Sequence, residues 1–449
     1  MGGALVYALP ISVIVLLLGS ALNPFLSLTM SIILLGVQIG KWPGTDLLFA
    51  PSDVFLLFCL LGMFLNKKVR SEVFEKAPAR WWFLAFLGLY IIGNFITIVN
   101  VGRLLQRQLI NRNIGLLVLF AYYYCTVTLI DDRDKLERMI KLYVYAGFLL
   151  NFVALIGYFA YRFVGIGKIF VFEDVRFIGF LRDPSAWGCF LLPLLFLQGI
   201  LLINKSPLFS LRFYILNLLL LSLGIFLTFS RSTYLAFFLV LLLFLFLQRR
   251  SLLFLPFLGL SALCIYFIFH HLGSGFQKSA IEDIFWQETF YQRLTSIALG
   301  ILWFLRSPIW GGGIGSFYKA SVYENMQVPP ELAKYGWDFV HNTYIWFLAE
   351  GGLIGIFILL GLFLNFLKGA WQASKKLPPP ENALPLAVFF ALCCFYAMAL
   401  GIDIFQRRDM WVFFAFSDLL RYLPEPEAGS PESGARSQEP ETRSRGSGK

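Results

Sequence analysis

Residues 211–248, LRFYILNLLLLSLGIFLTFSRSTYLAFFLVLLLFLFLQ, form a 38-residue apolar run whose one concentrated polar interruption is Thr228-Phe229-Ser230-Arg231-Ser232-Thr233. A membrane crossing by an α-helix takes about 20 apolar residues. The run is therefore too long for one span, and it predicts two spanning helices with a turn or break near Arg231. Working outward, runs of comparable character lie at 4–22, 26–41, 47–65, 81–100, 113–130, 139–161, 185–203, 251–270, 341–366, 383–404 and 408–422. The fold class that follows is all-α: a polytopic integral membrane helical bundle of about 12 transmembrane helices, or 13 if every segment crosses. Composition agrees. The chain has 449 residues, 58% of them hydrophobic, 18% aromatic and 14% charged, where a soluble chain carries about 25% charged residues. A soluble enzyme, a disulfide scaffold and a nucleic-acid binder are excluded, despite a formal charge of +10.

The sidedness of the positive charge orients the bundle. Loops 66–80 (Lys67, Lys68, Arg70, Lys76, Arg80) and 131–141 (Arg133, Lys135, Arg138, Lys141) read as cytoplasmic, as do the later loops with Lys205 and Arg212, with Arg249 and Arg250, and with Lys368, Lys375 and Lys376. The opposite face then receives the Arg231 turn and the long loop 271–340. That face carries Arg103, Arg107, Arg112, Arg162, Arg176, Arg182, Arg231, Arg293, Arg306, Arg407 and Arg408, against only Lys168, Lys278, Lys319 and Lys334. Any one arginine at a helix end can snorkel to headgroups. The cluster asks for a ligand, and guanidinium forks suit a diphosphate.

Within the outer loop, residues 288–305 place Phe290, Leu294, Ile297, Ala298, Ile301 and Leu305 at helical spacing, with Arg293 and Ser296 off the stripe. This predicts an interfacial amphipathic helix over the mouth of the bundle. Pro308-Ile-Trp-Gly-Gly-Gly-Ile-Gly-Ser-Phe317 follows as a tight glycine turn that needs no ligand. The six cysteines lie inside apolar runs and read as packing residues. The Asp131-Asp132-Arg133-Asp134 cluster reads as a helix start capped by Asp, not as a metal motif. No metal and no cofactor are expected. The first positive residue is Lys41, so the first apolar segment is expected to be retained and not cleaved as a signal peptide. Residues 1–422, including extracytoplasmic loop 271–340, read as one membrane domain, and the Pro-, Gly-, Ser- and Glu-rich stretch 423–449 as a disordered cytoplasmic tail.

His341 stands where the outer loop meets a long apolar helix, and a neutral imidazole there suits general-base work on a hydroxyl. Glu350 lies nine residues on, about 900° around the helix and so on the opposite face, unless Gly351-Gly352 breaks the helix.

Four motifs in order resemble those of the O-antigen ligase and polymerase superfamily. They are Arg176-Phe-Ile-Gly179-Phe-Leu-Arg182-Asp183-Pro184-Ser185-Ala186, Thr228-Phe-Ser230-Arg231-Ser232, Arg293 ahead of the glycine turn, and His341-Asn342-Thr343-Tyr344 with Glu350-Gly-Gly-Leu-Ile-Gly355. The order and spacing match over about residues 80–420. The resemblance implies a GT-C-like bundle in the bacterial inner membrane that takes a glycan from undecaprenyl diphosphate at the periplasmic face and passes it to lipid A–core or to a carrier-linked glycan. By motif match Arg176, Arg231 and Arg293 would hold the diphosphate, with Arg182 a further candidate, and His341 would activate the acceptor hydroxyl. Ser185 departs from the family, which often has Asn there, and this puts a role for that side chain in doubt. The expected chemistry is inverting and metal-independent, with the carrier lipid, membrane lipids and the glycan as partners and no nucleic acid. Ligase stands ahead of polymerase. A lipid-linked-oligosaccharide flippase is the reading from another class, but no internal repeat supports it.

Overall fold

The computed structural model describes residues 22–38, 50–66, 71–101, 113–173, 175–181, 183–247, 288–317 and 340–423. Among them the α-helices are α1 (Pro24–Ile33), α2 (Pro51–Leu65), α3 (Glu72–Lys76), α4 (Ala79–Val101), α5 (Gly115–Leu129), α6 (Arg133–Val164), α7 (Pro184–Ile203), α8 (Leu211–Leu227), α9 (Arg231–Leu247), α10 (Glu288–Arg306), α11 (Thr343–Lys376), α12 (Ala383–Met398) and α13 (Arg408–Tyr422). A two-stranded antiparallel hairpin, β1 (Val171–Phe172) and β2 (Arg176–Phe177), separates α6 from α7. Helices α6, α7, α11 and the stretch Ala79–Asn100 of α4 are each long and apolar enough to cross a membrane, and α1, α2, α5, α8, α9 and α12 are shorter apolar helices. The protein is a helical membrane protein.

Local chemistry sets the boundaries. Asp132 caps α6 through Lys135 N–H at 2.6 Å, as the acidic cluster predicts, and Gly165 closes the helix at φ 78°. Asp183 caps α7 with Pro184 at its first position, Ser210 caps α8 and Asn342 caps α11. The long apolar run does break where expected: α8 ends at Leu227 and α9 starts at Arg231. The run expected at 26–41 does not continue as one helix. Helix α1 stops at Ile33, about half a span. Beyond it Gly36 packs on the Phe190 ring, and the Gln38 N–H donates to the Phe180 carbonyl at 3.0 Å. The expected segments at 4–22 and 251–270 and the tail from 424 lie outside the described residues, apart from Leu22.

The core sits on α7, α12 and α13, whose residues are buried on nearly every face. Helix α7 packs against α12 and α8, and α13 against α5 and α11. Large apolar side chains on peripheral helices, such as Phe95, Leu242 and Phe357, are exposed, as lipid-facing residues are in a bundle whose solvent is hydrocarbon.

Two arginines assigned by sequence to the outer ligand-binding share are held inside the protein instead. Arg408 forms a bidentate pair with Asp53, Nε to Oδ1 and Nη2 to Oδ2, both at 2.6 Å. Asp53 also accepts from the Tyr122 hydroxyl at 3.0 Å, and Ser31 Oγ lies 3.2 Å from that hydroxyl, so the network joins α1, α2, α5 and α13. Arg407 pairs with buried Asp409, Nε to Oδ1 at 3.0 Å and Nη2 to Oδ2 at 2.7 Å, and donates from Nη1 to the Ala186 carbonyl at 3.1 Å. That ties the start of α13 to the first turn of α7. The cause is local in one case and distant in the other: Asp409, two residues on, folds back onto Arg407, and Asp53, 355 positions away, folds onto Arg408. Breaking a largely desolvated pair by removing one member costs about 3–5 kcal/mol. Asp53→Ala should therefore lower the unfolding temperature in detergent strongly, while Asp53→Leu with Arg408→Met should recover most of the loss. Equal unfolding temperatures for Asp53→Ala and wild type would show the network to be dispensable.

Candidate functional site

Arg176 is presented by the hairpin, with Val171 opposite Phe177 and Phe172 opposite Arg176. The Tyr158 hydroxyl donates to the Val175 carbonyl at 2.8 Å, and buried Phe177 sits edge-on between Tyr158 and Trp187. Gly179, two residues past the strand, has φ 53°, and a Cβ there would lie 2.1 Å from the Trp187 indole. The Arg176-Phe-Ile-Gly179 spacing is thus a seating device for the arginine. From this seat Arg176 donates through Nε to the Thr228 carbonyl at 3.3 Å and through Nη2 to the Phe229 carbonyl at 3.5 Å. The rest of its guanidinium fork stays available to a ligand.

The turn it grips is strained. Phe229 has φ 47°, a left-handed conformation that costs a bulky residue about 1–3 kcal/mol. Thr228 Oγ1 donates to the Ile225 carbonyl at 2.7 Å, and Ser230 Oγ lies 3.0 Å from Ser185 Oγ and 3.1 Å from Ser232 Oγ. Ser185 thereby ties the start of α7 to this turn. Arg231 opens α9 next to it, exposed, and it makes no hydrogen bond or ion pair with any described residue.

Arg293 comes from α10, but not in the orientation that the apolar stripe predicts. Leu294, Ile301 and Leu305 of that stripe are exposed, whereas Ser296, Leu299 and Trp303 are buried. The face carrying Arg293 and Ser296 is the one that packs inward, and Gly300 on that face meets Val340 and Ile345 beside His341. In a membrane the apolar stripe of a surface helix can face lipid while the polar face turns to the protein.

His341 is half-buried. Its neighbours in the motif serve the scaffold: Asn342 Oδ1 caps the Ile345 N–H at 3.0 Å and its Nδ2 donates to the Leu400 carbonyl at 3.0 Å. Thr343 Oγ1 donates to the Ile402 carbonyl and accepts from the Ile404 N–H, each at 3.0 Å. The Tyr344 hydroxyl donates to the Tyr396 carbonyl at 2.9 Å. Three of the four motif residues therefore fix the start of α11 and leave His341 at the site.

The charges interact. Burial first, then the neighbouring guanidiniums, lower the pKa of Arg293; Arg176 is lowered by burial and by Arg231, with Asp183 and Glu173 acting the other way. Burial followed by Arg293 pushes His341 down to about 4, partly offset by Asp183, so its imidazole is neutral across the physiological range. Sequence reasoning missed Asp183 as part of this group. Its signal was faint because an Asp before Pro at a helix start reads as a cap, which it also is, accepting from the Ala186 N–H at 2.7 Å. Three arginines against the carboxylates of Asp183 and Glu173 leave the group with a net positive charge. Arg182 lies outside the described residues, as do Arg103, Arg107 and Arg112.

The glycine turn at 308–317 takes no part in holding charge. Gly312 N–H donates to the Ala349 carbonyl and Gly313 N–H to the Glu350 carbonyl, both at 2.9 Å. Leu353 N–H donates to the Pro308 carbonyl at 2.8 Å. On the other side, Ile314 N–H donates to the Gly93 carbonyl at 3.1 Å, and Thr97 Oγ1 to the Ile314 carbonyl at 2.7 Å. The loop enters the bundle between α4 and α11 and satisfies the backbone groups freed where α11 breaks at Gly352 (φ 61°, ψ −156°). The break at Gly352 falls after Glu350 and so does not turn that side chain toward His341; Glu350 Oε1 instead accepts from the Phe317 N–H at 3.3 Å inside this interlock. Among the described residues no three His, Cys, Asp or Glu side chains gather as a metal site.

Apolar helices, with positive charge gathered where a hairpin, a helix break and an inward-facing surface helix meet, define a helical membrane protein with a cationic cluster. Residues 216–360, from α8 into α11, match the family model described as O-antigen ligase, and the match includes Arg231, Arg293 and His341. This match, over about a third of the chain, supports the O-antigen ligase superfamily that the motifs resemble. Members of that family are glycosyltransferase-like ligases or polymerases. No curated protein matches the chain.

Proposed function

We propose that this protein is a membrane glycosyltransferase of the O-antigen ligase type, which moves a glycan from undecaprenyl diphosphate to a hydroxyl of lipid A–core at the periplasmic face. The observation that carries the reading is the convergence of Arg176, Arg231 and Arg293 beside a neutral, half-buried His341. The arginines hold the diphosphate and stabilise the charge that grows on it as the glycosidic bond breaks. His341 takes the proton of the attacking hydroxyl, which approaches the anomeric carbon from the face opposite the leaving diphosphate, so the configuration inverts. With guanidiniums neutralising the leaving group, no divalent ion is required.

Incubation of the purified protein with a lipid-linked repeat unit, with and without lipid A–core, tests this. Transfer to lipid A–core that withstands EDTA supports the ligase. Growth of the carrier-linked chain alone would make the protein a polymerase using the same site, and movement of the lipid across the bilayer without transfer would make it a flippase.

The pH dependence follows from the environment of His341. A base is lost once it is protonated, and in the free protein burial and Arg293 place that point at about 4. Bound diphosphate screens Arg293 and raises the imidazole pKa. The acid limb of kcat/KM should therefore fall near pH 4 and that of kcat at higher pH. His341→Ala should lower kcat by about 10²–10⁴-fold and remove the kcat limb while donor binding is retained. Equal loss of donor binding and turnover would make His341 a structural residue.

A further inference from the structure

Helix α11 runs about 40 Å from the arginine cluster to its last turns, where it lies against the end of α13. Between them is a recess of about 610 Å³ lined by Trp371, Gln372, Lys375, Lys376, Arg421 and Tyr422. The Lys375 ammonium sits 4.5 Å above the centre of the Trp371 ring, and the Arg421 guanidinium 5.1 Å from the centre of the Tyr422 ring. Aromatic faces thus hold these two cations at the recess. No described carboxylate forms an ion pair with Lys375, Lys376 or Arg421. Asp418, three residues before Arg421, is buried and accepts from the Tyr123 hydroxyl at 2.7 Å.

Cations in the last turn of a helix also complement its dipole, and magnitudes decide whether that role uses them up. Each helix end contributes about −0.5 charge, so two ends and the Asp418 carboxylate, which interacts with Arg421, leave about +1 to +2 of the three cations' charge uncompensated. Rings that are apolar on one side and polar on the other sit at the headgroup level of a bilayer, and lysines on the same helix place this end at the cytoplasmic leaflet by the sidedness of charge. A ligand with one or two phosphodiesters above an apolar body fits all three features.

We propose that this recess binds the headgroup of an anionic phospholipid of the cytoplasmic leaflet, one molecule clamped between the ends of α11 and α13. Its phosphate oxygens are held by Lys375, Lys376 and Arg421, and its glycerol and upper chains lie against Trp371 and Tyr422. The site is separate from the arginine cluster and does not depend on the transferase reading.

The test uses the full chain. Wild-type protein carried through stringent delipidation should retain about one phosphatidylglycerol or cardiolipin by native mass spectrometry. Its unfolding temperature should rise on adding those lipids but not phosphatidylcholine or inorganic phosphate. Lys375→Gln/Lys376→Gln/Arg421→Gln should lose both properties, while Arg80→Gln/Arg138→Gln/Lys141→Gln, which removes the same charge elsewhere on that face, should keep them. If the recess variant folds poorly, the single exposed substitution Lys376→Gln should still reduce retention severalfold. Equal retention by recess and control variants would overturn the proposal in favour of a general annular attraction. A response to inorganic phosphate equal to that of lipid would overturn it in favour of a free-anion site. Lipid retention that appears only after deletion of residues 424–449 would overturn it as well, since the chain's own acidic segment would then be the occupant.

Discussion

Arg231→Ala will bring glycan transfer down by about 10²–10³-fold or to background, while the protein inserts, purifies and unfolds as wild type does. The separation of the two effects comes from the position of the side chain. Arg231 is exposed, starts a helix and makes no hydrogen bond or ion pair with any described residue, so its removal leaves no orphaned partner. It nevertheless faces the other guanidiniums, lowering the pKa of both Arg176 and Arg293, which is unfavourable in the absence of an anion. Arg231→Lys keeps the charge and loses the bidentate fork, and should fall between the two. Arg176→Ala makes the useful contrast: it also frees the Thr228 and Phe229 carbonyls of a strained turn, so it should lose stability as well as transfer. The assay is transfer from a lipid-linked glycan in proteoliposomes, with thermal unfolding read in parallel. Full activity of Arg231→Ala would sink the diphosphate site.

The second large effect separates two adjacent glycines. Gly352→Ala should leave little folded protein, because φ 61° with ψ −156° is a conformation for glycine alone. An added Cβ would also lie 2.4 Å from the Ile309 carbonyl oxygen and 2.5 Å from Gly311 N. Those are backbone atoms of the interlocked loop and have no rotamer to yield. Gly351→Ala meets only the side chain of Leu89 at 3.6 Å, an ordinary contact, and should be close to neutral. Fluorescence-detected size exclusion of the two variants in detergent decides the matter. Similar profiles for both would show that the break in α11 can relax.

Features that depend on apolar length were legible in the amino-acid sequence. These include the break at Arg231 and the spans on either side of it, because the hydrocarbon thickness fixes how long each run must be; the helix at 288–305 was legible from apolar spacing and the cap at Asp132 from residue type. The arginines of the site were legible as motif residues with an excess of Arg over Lys. Which arginines were left over for a ligand was not. Arg407 and Arg408 carry the same sequence signal as Arg231; Asp409 stands two residues from Arg407 in the sequence, whereas only the fold brings Asp53 to Arg408. The orientation of α10 was hidden for a related reason: an apolar stripe shows which face avoids water, and lipid and protein interior both satisfy that demand. Asp183 was masked by its second role as a cap, and the destination of the glycine turn lay in backbone bonds to residues more than two hundred positions away, such as Ile314 N–H to the Gly93 carbonyl at 3.1 Å.

That interlock bears on how far the protein is modular. The matched family stretch starts at residue 216, yet the loop inside it is held by Gly93, Thr97 and Asn100 of α4, and its arginine turn by Arg176. A segment cut at the family boundary would lose one wall of its own backbone pairing and one of its cations. Chimeras that exchange residues 216–360 between relatives should fail unless α4 and the hairpin travel with them, so the unit that inheritance and engineering can shuffle is larger than the unit that sequence comparison detects.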